Sequence, residues 1–270
     1  MLPECQEILL ENSDGVLTLT LNRPHKRNAM NAGLVKEIMS VFESISDDRS
    51  IRVVVLRGTG GNFCAGGDIS DMNSTECDAN GNLISAEQAA WHFSRLFGHM
   101  ITLVNKAPQV VVTLLEGAVL GGGLGLACIS DVAITDKHAR FSMPETSLGI
   151  IPAQIAPFVV SRIGLTQARR LALLGERIDG EAARELGLAH YLTYSEDEMQ
   201  AQLEDVLKHV KRCAPEANAN TKALMLQVGS VEIEMLLDSA ADMFSAALQS
   251  SEGQEGTKAF MEKRKPHWTL

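Results

Sequence analysis

The stretch "AVLGGGLGLACISD" occupies Ala118–Asp131. Strand-like residues, Val110 to Leu114, precede it, and an apolar helix-like run follows its glycines. Glycine costs roughly 1 kcal/mol per helical position relative to alanine. Gly121, Gly122, Gly123 and Gly125 therefore need a reason to stand where a helix begins. A dinucleotide fingerprint G-x-G-x-x-G/A fails, because its last position falls on Leu126 or Cys128. A phosphate loop fails for want of G-K-[ST]. Two readings remain. Small residues let a helix pack closely on a sheet, or a helix start offers bare N–H groups, positively polarised, to a ligand atom.

A carbonyl oxygen gaining negative charge suits such a helix start, and one good donor is worth roughly 100- to 1000-fold in rate. A single donor makes a poor hole. "GNFCAGGDI" (Gly61–Ile69) also follows an apolar strand and is also glycine-rich. The N–H of Ala65, beside Gly66 and Gly67, is the expected second donor. Asp68 reads first as a structural cap. Cys64 is the weaker candidate nucleophile, with no histidine partner evident in sequence.

Around these loops the chain alternates strand and helix. "GVLTLTLNRP" (Gly15–Pro24) alternates as a half-buried strand, and the segment from Asn31 to Asp48 places Leu34, Ile38, Val41, Phe42 and Ile45 on one helical face. "SIRVVVLRGTGG" is an apolar strand. Ser70–Glu87 has the composition of a mobile loop. A helix follows from Gln88, then strands at "PQVVVTLLEG" and "DVAITD" flank the glycine-led helix. After Gly149, helices dominate. The expected division is an α/β core over residues 1–190 and a helical C-terminal region over 191–270.

The 45% hydrophobic content supports one large core. A net charge of −10 argues against non-specific nucleic-acid binding, without excluding a local basic patch for an anionic ligand. Five cysteines without C-x-x-C fit a reducing cytoplasm, and no zinc motif is visible, so no metal is expected. The N-terminus lacks a signal-peptide pattern. Val110–Ile129, with Glu116 and five glycines, reads as a buried strand and helix and not as a membrane span.

Two glycine turns in this order resemble the enoyl-CoA hydratase/isomerase (crotonase) superfamily. "LNRPHKRNAMN" is similar to its CoA-contact segment, and "GNFCAGGDI" and "GAVLGGGLGLACISD" to its two oxyanion loops. "ARFSMPETSLGIIP" is similar to the segment bearing a catalytic glutamate, and "KAFMEKRKP" to its C-terminal signature. The resemblance implies an α/β, crotonase-like spiral of β-β-α units with a helical trimerisation region. It further implies a homo-oligomer, usually a hexamer of two trimers, and an acyl-CoA thioester as substrate, so that coenzyme A is not a separate cofactor.

By position, Ala65 and Gly122 would donate to the thioester oxygen, and Glu145 would be the catalytic acid–base. Lys26, Arg27 and Ala29 would lie near the CoA nucleotide. Gly66, Gly67, Asp68, Ile69 and Gly121 would complete the substrate-binding loops. Phe260 and Lys263 would approach CoA on a neighbouring subunit.

Two-glutamate hydratases of the superfamily carry a second acid where this chain has Gly125. "GGGLGL", "PETSLGIIPAQIAPFVV" and "GLTQARRLALLGERIDG" resemble hydratases of branched glutaconyl-CoA thioesters, those of isohexenylglutaconyl-CoA in acyclic terpene breakdown first and those of 3-methylglutaconyl-CoA in leucine breakdown second. The implied enzyme is a cytoplasmic hydro-lyase. The rival expectations are an enoyl-CoA or dienoyl-CoA isomerase and a non-catalytic acyl-CoA binder.

Overall fold

An Asp-Gly turn opens the fold. Asp14 and Gly15 both take positive φ (51° and 72°), the geometry of a tight hairpin. They join β1 (Ile8–Ser13) to β2 (Val16–Leu21), antiparallel, with Ser13 opposite Val16. The sequence reading took only the second of these strands. The computed structural model describes residues 2–69 and 84–269, so most of the expected Ser70–Glu87 loop lies outside the described residues. The part inside is ordered differently: Ser85 caps α2 (Ala86–Asn105) in a reciprocal capping box with Gln88, which places Glu87 in the helix.

β2 runs parallel to β3 (Val53–Gly58), and β3 to β4 (Val110–Leu115). A short strand, β5 (Ala118–Leu120), follows β4 into a second sheet, where it pairs with β7 (Arg140–Ser142) and, through it, β8 (Arg177–Ile178). β6 (Val132–Asp136) and β9 (Tyr191–Thr193) complete the large sheet, whose order is β1-β2-β3-β4-β6-β9. Isolated bridges at Met30–Gly67 and Cys64–Val119 extend the small sheet. The chain thus climbs as a spiral. Each turn gives a strand to the large sheet, a shorter extended piece to the small one, and a helix. β4, β5 and α3 (Gly122–Ile129) form the clearest such turn.

The central strands read as unbroken apolar runs because both faces are covered. Leu17, Leu19, Val54, Leu56 and Val111 pack in one core with Leu34, Val35 and Ile38 of α1 (Ala32–Ser44). Val53, Val55, Val112, Leu114 and Ile134 face the other way, onto Met199, Leu203 and Val206 of α6 (Glu196–Arg212). Between them in sequence lie α4 (Ala156–Leu174), broken at Gly164 (φ 75°, ψ 158°), and α5 (Gly180–Glu185).

The main sheet and its packing run past residue 190. β9 pairs with β6 in the main sheet, and α6 buries the valines of its second face, so the core continues to about Arg212. The segment past it holds α7 (Pro215–Met225), which the sequence reading missed, α8 (Ile233–Gln249) and α9 (Ser251–Met261). These helices leave Met225, Ile233, Met235 and Phe244 exposed.

Leu203 tests the role of α6. Truncation of Leu203 to alanine should destabilise the protein by about 2–5 kcal/mol, read as a lower urea midpoint. A surface helix would give a change near zero.

Candidate active site

β5 ends at Leu120, and the next residue turns the chain into α3. Gly121 adopts φ 48° and ψ −116°, a region effectively closed to side-chain-bearing residues. Its N–H donates to the Ser142 carbonyl at 3.0 Å, tying the turn to β7. The following glycines are packing residues. A Cβ on Gly123 would lie 2.5 Å from the Cys64 carbonyl oxygen, and one on Gly125 would lie 2.4 Å from Ile155 Cγ2. Close approach of α3 to its neighbours offsets the poor helix propensity. Gly122 is the first residue of the helix, and its N–H donates to no described residue.

The second loop is zipped from both sides. Phe63 and Cys64 donate to the carbonyls of Glu116 and Ala118, and Leu120 returns a bond to the Cys64 carbonyl. On the other edge Met30 donates to Gly66, and Asp68 to Met30. The expected donor Ala65 is committed to this zipper: its N–H donates to the Arg27 carbonyl at 3.0 Å. The geometry gives its place to Gly67, two residues on. The Gly67 N–H donates to no described residue, and Gly67 lines the same cavity as Gly122. Gly66 permits this with φ 99° and a bare Cα beside the Leu120 carbonyl.

Glu145 reaches this cavity from the end of β7. It follows β7 through Met143 and Pro144 and starts a 3-10 turn (Glu145–Leu148) closed by Gly149 at φ 75°. Its Oε1 lies over Gly121, where an added Cβ would sit 2.8 Å away. Its Oε2 is buried without a hydrogen-bond partner. Burial holds its carboxyl above the usual carboxylate range. The cavity measures about 280 Å³ and is walled by Phe93, Phe97 and Ile155 opposite the glycines. On α2, Phe93 lines the cavity and Trp91 is exposed. Gly125 is buried against Ile155 and Ile101, so the position of a second glutamate is filled by aliphatic side chains.

Asp68 does not line the cavity. It is buried in ion pairs, 3.2 Å from Arg23 Nη2 and 3.8 Å from Lys26 Nζ, and Arg23 also pairs with Glu7. Its part is structural: it holds the Arg23–Met30 turn against the loop. Ala29 is buried in that turn, and Ile69 is exposed. Cys64 is fully enclosed, its thiol pushed up to about 12 by burial, and it has no nucleophilic character there.

Arg27, with φ 50°, lines a separate recess of about 590 Å³ together with Leu120, Arg140, Arg177 and Asp179. Arg140 and Arg177 escaped the sequence reading because only the β5–β7–β8 pairing brings them beside Arg27. Phe260 is 85% exposed on α9, and neither it nor Lys263 lines the cavity in its own chain. Among the described residues no His, Cys, Asp and Glu cluster could hold a metal ion, and no helix is long and apolar enough to cross a membrane.

The sequence model of the enoyl-CoA hydratase/isomerase family matches residues 11–270. The chain belongs to this family. Among relatives of the family, 2,3-dehydroadipyl-CoA hydratase of Escherichia coli is 30% identical over 96% of this chain and 97% of its own. The 1,2-epoxyphenylacetyl-CoA isomerase of the same organism is also 30% identical, over 97% and 98%. The solved structure of Pseudomonas aeruginosa AtuE superposes with a TM-score of 0.92 at 53% identity, covering 98% of this chain and all of that one. Hydratase and isomerase names stand at equal identity, so the division between them rests on the site itself.

The Glu145 environment makes a prediction independent of activity. Its folded carboxyl keeps a proton above the ordinary value of 4.5, so the folded state binds more protons than the unfolded one as pH rises past that value. Stability from this group is full below the unfolded pKa and is lost as pH rises through the folded one. Glu145→Gln should therefore melt at a higher temperature than the parent at about pH 8, the gap closing towards about pH 4. A lower melting temperature at pH 8 would mean the anion is stabilised where it stands.

Proposed function

We propose that the protein adds water to a branched 2-enoyl-CoA thioester, with isohexenylglutaconyl-CoA as the substrate and 3-methylglutaconyl-CoA as the close alternative. One observation carries the reading: two uncommitted backbone N–H groups and one carboxylate with a buried, unpartnered oxygen line a single, mostly apolar cavity. Gly67 and Gly122 are the donors for the thioester oxygen, which gains charge as an enolate forms; each such donor is worth roughly 100- to 1000-fold. Glu145 removes a proton from water as the oxygen bonds to Cβ, then returns that proton to Cα as the enolate collapses. The π bond is lost, C–O and C–H bonds form, and no other reactant is required. A raised carboxyl pKa suits a group that must both hold and release a proton near neutrality.

Outside the cavity, Leu120 lines the arginine recess and, two residues on, Gly122 lines the cavity. Arg27, Arg140 and Arg177 supply positive charge for the CoA phosphates, against a chain that is net acidic. Coenzyme A enters as part of the substrate. The similar E. coli hydratase is named for a dehydroadipyl thioester, an acyl group with a second carboxylate, which supports the glutaconyl class here. The exposed apolar side chains of α7 and α8 support a homo-oligomer, read as a dimer of trimers, in which Phe260 and Lys263 serve a neighbour's CoA.

Isomerase activity is the second reading, favoured by the lone carboxylate, since one acid shuttling one proton suffices to move a double bond. Supplying 3-methylglutaconyl-CoA and a 3-enoyl-CoA to the purified protein separates the two. Hydration removes the conjugated thioester absorbance and yields a tertiary alcohol, whereas isomerisation of the 3-enoyl-CoA creates that absorbance without water uptake. Glu145→Gln should lower kcat by at least about 100-fold with thioester affinity little changed. Near-parental turnover in that variant would remove Glu145 from the chemistry.

A further inference from the structure

Besides Glu145, the cavity presents two polar side chains, Ser94 of α2 and Gln154 just ahead of α4. Gln154 Oε1 accepts from Arg95 Nη1 at 2.8 Å, and Gln154 Nε2 donates to Ser94 Oγ at 3.1 Å. Gly98 makes room for this arrangement. A Cβ there would lie 2.1 Å from Gln154 Oε1 and 2.7 Å from Arg95 Nη1. The amide is thus locked, its oxygen on the cation and its NH2 towards the serine.

Arg95 is half-buried, and among the described residues no carboxylate lies within ion-pair distance of it. Its described partner is a neutral amide oxygen. A half-buried guanidinium with no carboxylate beside it has donors left over for an anionic acceptor. The remaining hydrogens of the group are all donors: the second N–H of Gln154, the Ser94 hydroxyl hydrogen and the other guanidinium N–H groups. An ionised carboxylate offers only acceptors.

On the acyl-CoA reading proposed above, we infer that Ser94 and Gln154, backed by Arg95, form a subsite for a second carboxylate on the acyl group. Ser94 and Gln154 make the direct contacts. Arg95 is a positioning residue that orients the amide and supplies the compensating charge. The cavity then selects acyl groups ending in a carboxylate over aliphatic ones of the same shape.

The test is calorimetric titration of the full chain with two saturated, unreactive thioesters, glutaryl-CoA and its neutral isostere 5-methylhexanoyl-CoA. The parent protein should bind glutaryl-CoA about tenfold or more tightly, as expected for charge-assisted hydrogen bonds. Arg95→Met and Gln154→Leu should each bring the two affinities to within about threefold, mainly by weakening glutaryl-CoA, while Arg95→Lys keeps part of the preference. Equal binding of both thioesters by the parent overturns the subsite and leaves the acyl-CoA reading standing. So does a preference that survives in Arg95→Met, or a variant that weakens both ligands alike, as a purely structural tie between α2 and the 150–155 segment would. Failure of the parent to bind either thioester overturns the acyl-CoA reading itself.

Discussion

The hydrogen-bond zipper that grips residues 63–68 from both sides governs the site. Glu116 and Ala118 accept on one edge, and Arg27 and Met30 on the other. Gly66 donates to the thiol sulfur of Cys64 at 3.4 Å. Along this segment the Gly67 N–H is left over. The same zipper, through the Leu120 to Cys64 bond, fixes β5 and so the position at which α3 starts. Backbone pairing therefore sets where both free amides stand, and close packing at Gly123 and Gly125 seats the helix behind one of them. Dipoles fixed in this way need no reorganisation when charge develops in front of them, which is the condition for strong electrostatic stabilisation.

The zipper needs a firm second edge, and buried charge provides it. Residues 27 and 28 both take positive φ, an unfavourable pair for side-chain-bearing residues. Asn28 offsets this by donating to the Thr59 and Asn62 carbonyls while accepting from the Arg23 amide. Arg23 in turn binds Glu7, Asp68 and the Ala29 carbonyl from within the core. Removing one member of such a group would leave an uncompensated buried charge. Asp68 thus acts on the site at one remove, by holding the segment whose carbonyl engages Ala65.

Much of this architecture was legible in the sequence. Alternation and apolar runs placed β2, β3, β4 and β6, but not the short strands β5, β7, β8 and β9, and the two glycine loops marked the cavity. Other features were not. The hairpin strand β1 carries the mixed sequence "ILLENS" and was passed over, although Asp14-Gly15 announced the turn. The end of the core depended on which sheet face α6 covers, a matter of packing and not of composition. The donor residue depended on which N–H the zipper consumes, and the partner of Ala65 lies 38 residues away at Arg27. Sequence spacing locates a loop; long-range pairing decides which atom of it stays free. Gln154 and Arg95 escaped for the same reason, being 59 residues apart.

The lone acid follows from the same close packing. α3 approaches its surroundings so tightly at Gly125 that Ile155 and Ile101 occupy the space a second carboxylate would need. On the hydratase reading this constrains the stereochemistry. A single carboxylate that takes a proton from water and returns it to Cα must serve both carbons from one side, so hydroxyl and hydrogen arrive on the same face of the double bond. The apolar wall around Ile155 then works in the reaction's favour. It keeps the Glu145 carboxyl poorly solvated and raises its affinity for a proton, which on the hydratase reading favours delivery of that proton to Cα.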